Sequence, residues 1–134
     1  MLSAEGEIDD LIGAFYRVFD NREGCPRNMS AVCRMFTPSA IITRVGAGGV
    51  DQWDLPAFMA RQEKLLTDGT LIAFREWEVE ARTTVLREIA SRLSRYRKRG
   101  VLNGAPYAGE GDMFAQLCRT AGGWRISAML WQDA

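Results

Sequence analysis

The stretch TLIAFREWEVEARTTV, residues 70–85, alternates Glu76, Glu78, Glu80 and Arg82 with Arg75, Trp77, Val79 and Ala81. A period of two over this length predicts one long β-strand with chemically different faces. The alternation continues to the end of the chain. A turn near Leu86-Arg87-Glu88 leads into a second strand through Ile89, Ser91, Leu93 and Arg95. Asn103-Gly104 is the strongest hairpin signal, since both central positions of a tight two-residue turn take positive φ. Tyr107 to Thr120 follows as a third strand, in which Gly109 and Gly111 predict a bulge or bend. Gly122-Gly123 then turns into a last strand, Trp124 to Trp131.

Upstream of Gly69 the period is helical. Ile8, Leu11, Ile12, Phe15 and Phe19 fall on one face of an amphipathic helix from Glu5 to about Asp20. Asn21-Arg22-Glu23-Gly24-Cys25-Pro26 breaks it, and Asn28 or Ser30 caps a second, short helix carrying Met29, Val32, Cys33 and Phe36 inward until Thr37-Pro38. Ala40-Ile41-Ile42-Thr43 predicts a short strand, and Gly46-Ala47-Gly48-Gly49 a flexible loop. A third helix starts at the N-cap Asp54 with Pro56 in its first turn and ends near Asp68-Gly69. The expected fold is therefore α+β over residues 1–134 as a single domain: three N-terminal helices on a curved, mostly antiparallel sheet made of a short first strand and a four-strand meander.

Composition excludes more than it selects. The 134 residues carry 17 basic and 17 acidic side chains, so net charge offers no footprint for nucleic acid or an anionic membrane surface. The chain has no histidine, which removes His-dependent triads and zinc sites, and no metal or cofactor is expected. Cys25, Cys33 and Cys118 are an odd set without CxxC spacing, and the opening MLSAEGEIDD is acidic without an apolar run; both suit a cytoplasmic protein with reduced thiols. The glycine-rich residues 46–49 lack the spacing and the βαβ context of a dinucleotide loop and read as a loop at a pocket mouth. The basic cluster Arg92, Arg95, Arg97, Lys98, Arg99 around Tyr96 is divided between two strand faces by alternation, with Glu76, Glu78 and Glu80 available as cross-strand partners.

With the segments AFYRVFDNREG, VCRMFTPSAIITR and RTAGGWRISAMLWQD, this layout resembles the nuclear transport factor 2-like superfamily, in particular its small SnoaL-like and ketosteroid-isomerase-like members. The resemblance implies a cystatin-like cone of sheet around the helices, a mostly apolar pocket, and homodimerisation through the outer sheet face. It does not imply the steroid-isomerase mechanism. Phe15 stands where those isomerases carry a tyrosine, with Tyr16 one residue out of phase; Arg44 stands at the general base, and Gln116 at the second acid. An arginine there cannot accept a proton from carbon. Scytalone-type dehydratases need histidine.

Two readings of function remain. In the first, the cone binds a small, largely apolar ligand in a pocket drawn from Phe15, Phe19, Phe36, Trp53, Phe58, Arg92, Tyr96, Asp112 and Gln116, with Tyr16, Tyr96 or Asp112 as candidate groups for cofactor-free acid-base chemistry. Asp112 and Gln116 share strand parity, and Arg92 and Tyr96 are expected across from them; the same four residues also read as a salt-bridge ladder without catalysis. Trp53 reads either as a cover for the pocket or as a staple onto the third helix. In the second reading the protein is a non-catalytic homodimerisation or interaction module, its cone filled by its own aromatics.

Overall fold

The computed structural model describes residues 2–25 and 28–134. Helix α1 (Ala4–Val18) begins at Ser3, whose Oγ accepts from the Gly6 N–H at 3.0 Å, and it buries Ile8, Ile12, Phe15, Tyr16 and Val18. Strand β1 (Phe36–Gly46) and strand β2 (Gly49–Asp54) form a hairpin, helix α2 (Leu55–Thr67) follows, and β3 (Leu71–Leu86), β4 (Ile89–Leu102), β5 (Ala105–Thr120) and β6 (Gly123–Asp133) make the meander. All six strands join one sheet in the order β2-β1-β6-β5-β4-β3, antiparallel except where β1 runs parallel to β6. Both helices cover one face, which we call the inner face. Among the described residues no helix is long and apolar enough to cross a membrane.

The first half departs from expectation in three places. The expected second helix is a 3-10 turn, Met29–Arg34, that buries only Val32 fully; Cys33 is exposed, and Phe36 is buried from the start of β1. Asn28 makes no side-chain cap there. The β1 strand is eleven residues long and contains Pro38, because its pairing with β6 is interrupted between Phe36 and Ile41, where a missing N–H leaves no gap in the ladder. The loop expected at residues 46–49 is a tight turn, Gly46 pairing with Gly49, and it leads into β2, a strand not expected from sequence. The break expected at Pro26 lies outside the described residues.

The second half follows the alternation, with the bulges elsewhere than expected. Asn103 and Gly104 take φ of 51° and 81°, as a two-residue hairpin turn requires. From that turn β4 and β5 pair without a shift from Leu102–Ala105 to Ile89–Cys118, so Gly109 and Gly111 mark no bulge. The register breaks lie instead in β3, between Ile72 and Arg75 and between Glu78 and Glu80, and where β5 meets β6, between Gln116 and Leu117. The second break reverses parity: Glu76 and Glu78 point to the inner face, while Glu80 points out, 3.5 Å from Arg95.

Asn21 joins the helical and sheet halves. Its Nδ2 donates to Leu71 O at 2.7 Å and Leu66 O at 3.2 Å, its Oδ1 accepts from Phe74 N at 2.7 Å, and its own N–H donates to Phe74 O at 3.1 Å. One side chain thereby ties the end of α2 to the first β3 bulge, where Ala73 has φ 51°. Replacing Asn21 by Ala removes three side-chain hydrogen bonds and should lower unfolding stability by about 2–3 kcal/mol; chemical denaturation measures it, and a loss below about 0.5 kcal/mol would refute this role.

Candidate functional site

Between α1, α2 and the inner sheet face lies a cavity of about 250 Å3 that opens at one end. Its floor is apolar, with Phe15, Phe19, Phe58, Phe74, Met113 and Met129. The rings meet edge to face: Phe15 lies 5.0 Å from Phe19, and Phe19 lies 6.1 Å from Phe58. Near the mouth Trp131 stacks on Trp53 at 5.8 Å, and the Arg61 guanidinium lies over the Trp53 ring at 5.0 Å. Trp53 lies outside the lining and touches Phe58 of α2 at 6.4 Å, the contact expected of a staple onto that helix.

The polar wall comes from β3, β4 and β6. Tyr96 donates its hydroxyl to Asp133 Oδ1 at 2.6 Å, and the Lys98 ammonium reaches the same oxygen at 2.8 Å. Burial works against ionising Asp133, but the bonds from Lys98 and Tyr96 outweigh it and hold the carboxyl below its ordinary range. Burial, reinforced by the Asp133 carboxylate, pushes the Tyr96 hydroxyl upward. Gly111, directly across from Tyr96, makes this arrangement possible: a Cβ there would fall 2.3 Å from both the Tyr96 hydroxyl and Gln132 O.

Glu76, across from Lys98 on β3, is the exception in this wall. Among the described residues no hydrogen-bond or ion-pair partner meets its carboxyl. Burial pushes its pKa up to about 7, with Lys98 pulling it down and Asp133 raising it. The residue is half-buried in the wall of a cavity that is partly open to solvent. A carboxyl that exchanges its proton near neutrality, in an apolar cavity, is poised to act as acid or base.

A second polar thread ties α1 to the sheet. Tyr16 Oη and Ser94 Oγ lie 2.8 Å apart, Ser94 Oγ donates to Glu78 Oε2 at 2.5 Å, and Arg92 holds Glu78 with two nitrogens. Arg92 Nη1 also reaches Asp9 Oδ1 at 2.5 Å and Thr83 Oγ1 at 2.9 Å. Burial, only partly offset by the Ser94 bond, pushes the Tyr16 hydroxyl upward. Every member of this thread has a partner, which fits a structural clamp.

The site residues expected from sequence distribute unevenly. Phe15, Tyr16, Phe19, Phe58 and Tyr96 line the cavity. Phe36 packs in the core against Phe15 at 5.7 Å and Arg92 lies in the clamp, both outside the lining. The expected group of Asp112, Gln116, Arg92 and Tyr96 does not assemble. Arg92 faces Ala115 and Tyr96 faces Gly111, whereas Asp112 lies opposite Arg95 on the outer face, with 3.4 Å between Arg95 Nε and its Oδ1, and Gln116 lies opposite Ser91. The hairpin turn fixes this by placing even-numbered residues of β4 beside odd-numbered residues of β5. Glu76, Lys98, Asp133, Arg44 and Arg61 line the cavity without having been singled out for it. Among the described residues no group of three or more acidic or cysteine side chains is placed to hold a metal.

Glu76 makes the native state pH-sensitive. Its pKa rises on folding, so between the ordinary carboxylate range and about 7 the folded chain binds more proton than the unfolded chain. That contribution is complete at acid pH and is lost as pH rises through about 7. Glu76→Gln should therefore unfold at higher denaturant than wild type above neutrality, by about 1–2 kcal/mol, and the gap should close in acid. Parallel denaturation profiles at all pH values would contradict an unpaired buried carboxyl.

No known family profile and no curated protein matches the chain. Solved structures do. A protein from Novosphingobium aromaticivorans provisionally described as an aromatic ring hydroxylase superposes with TM-score 0.76 at 18% identity, covering 98% of this chain and 91% of its own. A nuclear transport factor 2-like superfamily protein from Salmonella enterica superposes with TM-score 0.69 at 13% identity over 96% and 89% of the two chains. A protein of unknown function with a cystatin-like fold from Nostoc punctiforme gives TM-score 0.69 at 12% identity over 99% and 94%. At these identities the likeness establishes the fold alone: the chain has the fold that nuclear transport factor 2-like and cystatin-like proteins share.

Proposed function

We propose that the cavity binds a small, largely apolar molecule and that Glu76 exchanges a proton with it without a cofactor. The observation that carries this reading is the unpaired Glu76 carboxyl, with a pKa of about 7, in a cavity of about 250 Å3 floored by aromatic and methionine side chains. This volume is just below the roughly 300–1,000 Å3 of pockets for drug-sized ligands. It suits a compound of roughly one or two rings. The Novosphingobium neighbour, provisionally described as acting on aromatic rings, supports a ring compound. Tyr96 and Asp133 are bonded to each other and hold the wall, and Asp112 lies on the other face, so Glu76 replaces it as the proton acceptor.

The second reading, self-association, rests on the outer face. Leu93, Phe114 and Leu130 stand in register across β4, β5 and β6, with Phe114 55% exposed, and Ile41 on β1 extends the apolar patch. Charged pairs flank it, Arg95 with Glu80 and Asp112 on one side. An apolar centre with a polar rim is the anatomy of a dimer interface. The two readings are compatible, since opposite faces of one sheet serve them.

The ketone 2-tetralone, whose protons next to the carbonyl are acidic, tests the proton transfer. Proton NMR in deuterated buffer should show faster exchange with wild-type protein than in buffer, and about 100-fold less acceleration with Glu76→Gln. Acceleration that survives this substitution would remove Glu76 from the reading. Analytical ultracentrifugation tests the face: wild type should sediment as a dimer of the 15.0 kDa chain, and Phe114→Glu as a monomer. A monomeric wild type would overturn self-association.

A further inference from the structure

Arg44 and Arg61 are the only half-buried cations in the cavity wall left without a carboxylate within 4 Å among the described residues. Lys98, the third cation, is bonded to Asp133. Unpaired arginines on an open surface are ordinary; two converging on one cavity from different elements are costly unless something answers them. Arg44 comes from β1, beside Trp131 in the β1–β6 register, with its guanidinium running along Gly46. Arg61 comes from α2 and is held against the Trp53 ring, with Nη1 donating to Gln62 Oε1 at 2.5 Å. The two sense each other: burial first, and the charge of Arg44 second, pull the Arg61 pKa down, with Asp51 only partly compensating.

From this arrangement we infer that the cavity's ligand is an apolar ring compound bearing a single carboxylate or comparable oxyanion, which Arg44 and Arg61 bind. The inference rests on the reading of the cavity as a ligand site and adds the ligand's charge to it. Among the lining groups, Lys98 and Asp133 offset each other, so two positive charges face the Glu76 carboxyl, with Asp51 across the β1–β2 pair from Arg44 and outside the lining. A monoanion balances that set. Guanidinium groups present paired N–H donors that match the two oxygens of a carboxylate. The arginines belong to β1 and α2, whereas Glu76 lies on β3 at the other edge of the sheet, so an anion held by the arginines extends its apolar body over Phe15, Phe58 and Met129 toward Glu76.

Two probes of nearly equal shape separate charge from shape: 1-naphthoate and its neutral counterpart 1-naphthamide, titrated calorimetrically against the full chain. Wild type should bind the carboxylate at least about tenfold more tightly than the amide, a difference of about 1.4 kcal/mol. Arg44→Gln and Arg61→Gln should each erase most of that preference while leaving amide affinity within about threefold. Equal binding of both probes by wild type would overturn the anionic ligand and leave the cavity reading standing. Binding of neither would overturn the cavity reading and this inference together. A preference that survives both substitutions would take the arginines out of it. Should Arg61→Gln loosen the mouth through its stacking on Trp53, a lower melting temperature reports it, and the wild-type and Arg44→Gln titrations decide.

Discussion

The pairing register that the Asn103-Gly104 turn imposes on β4 is the constraint on which the rest of the inner face depends. It places Arg92, Ser94, Tyr96 and Lys98 on the helix-covered side and Arg95, Arg97 and Arg99 on the other. A slip of one residue would exchange those sets, burying three arginines against α1 and removing Tyr96 from Asp133. Gly111 reinforces the register sterically, because the space a side chain would take there belongs to Tyr96. The outward set is satisfied cheaply by solvent and by exposed partners such as Glu110, 3.7 Å from Arg97.

Within that frame the inner face holds two kinds of buried charge. The thread from Tyr16 through Ser94, Glu78 and Arg92 to Asp9 is closed, and Arg92, only 3% exposed, is tolerated because Glu78, Asp9 and Thr83 meet its donors. Its product is the position of α1 on the sheet. Cavity-side groups are only half closed: Asp133 has Lys98 and Tyr96, while Glu76, Arg44 and Arg61 line the cavity with no ion-pair partner among the described residues. The charges that tie α1 to the sheet are thus met within the chain, whereas Glu76, Arg44 and Arg61 are the cavity charges that the proposed ligand would answer.

Most of the fold was legible in sequence because it is written in periods. The α1 face, the Asp54 and Pro56 start of α2, the positive-φ hairpin at Asn103-Gly104 and the alternation after Gly69 are local signals with local physics, and the strands follow them. The short helix around Val32 is legible, but six residues carry too little periodicity to show that it is a 3-10 helix. Residues 49–54 form β2 only because β1 offers them an edge, which no property of Gly49 to Asp54 announces. The candidate site was less legible. Aromatic residues can be placed, but in sequence Glu76 is one of three equivalent cross-strand partners for the basic cluster, since the Val79 bulge that separates it from Glu80 has no glycine or proline to mark it. The misplacement of Asp112 was avoidable: the two-residue turn already sets which β5 positions share a face with Tyr96.

The proton affinity of Glu76 joins the register, the cavity and the proposed chemistry, and a side-chain carbon NMR titration of glutamate-labelled protein, assigned through Glu76→Gln, measures it directly. A midpoint near 7 is the expected result. A midpoint in the ordinary glutamate range, about 4.3, would mean that water or an unrecognised partner already satisfies this carboxyl and would contradict the account.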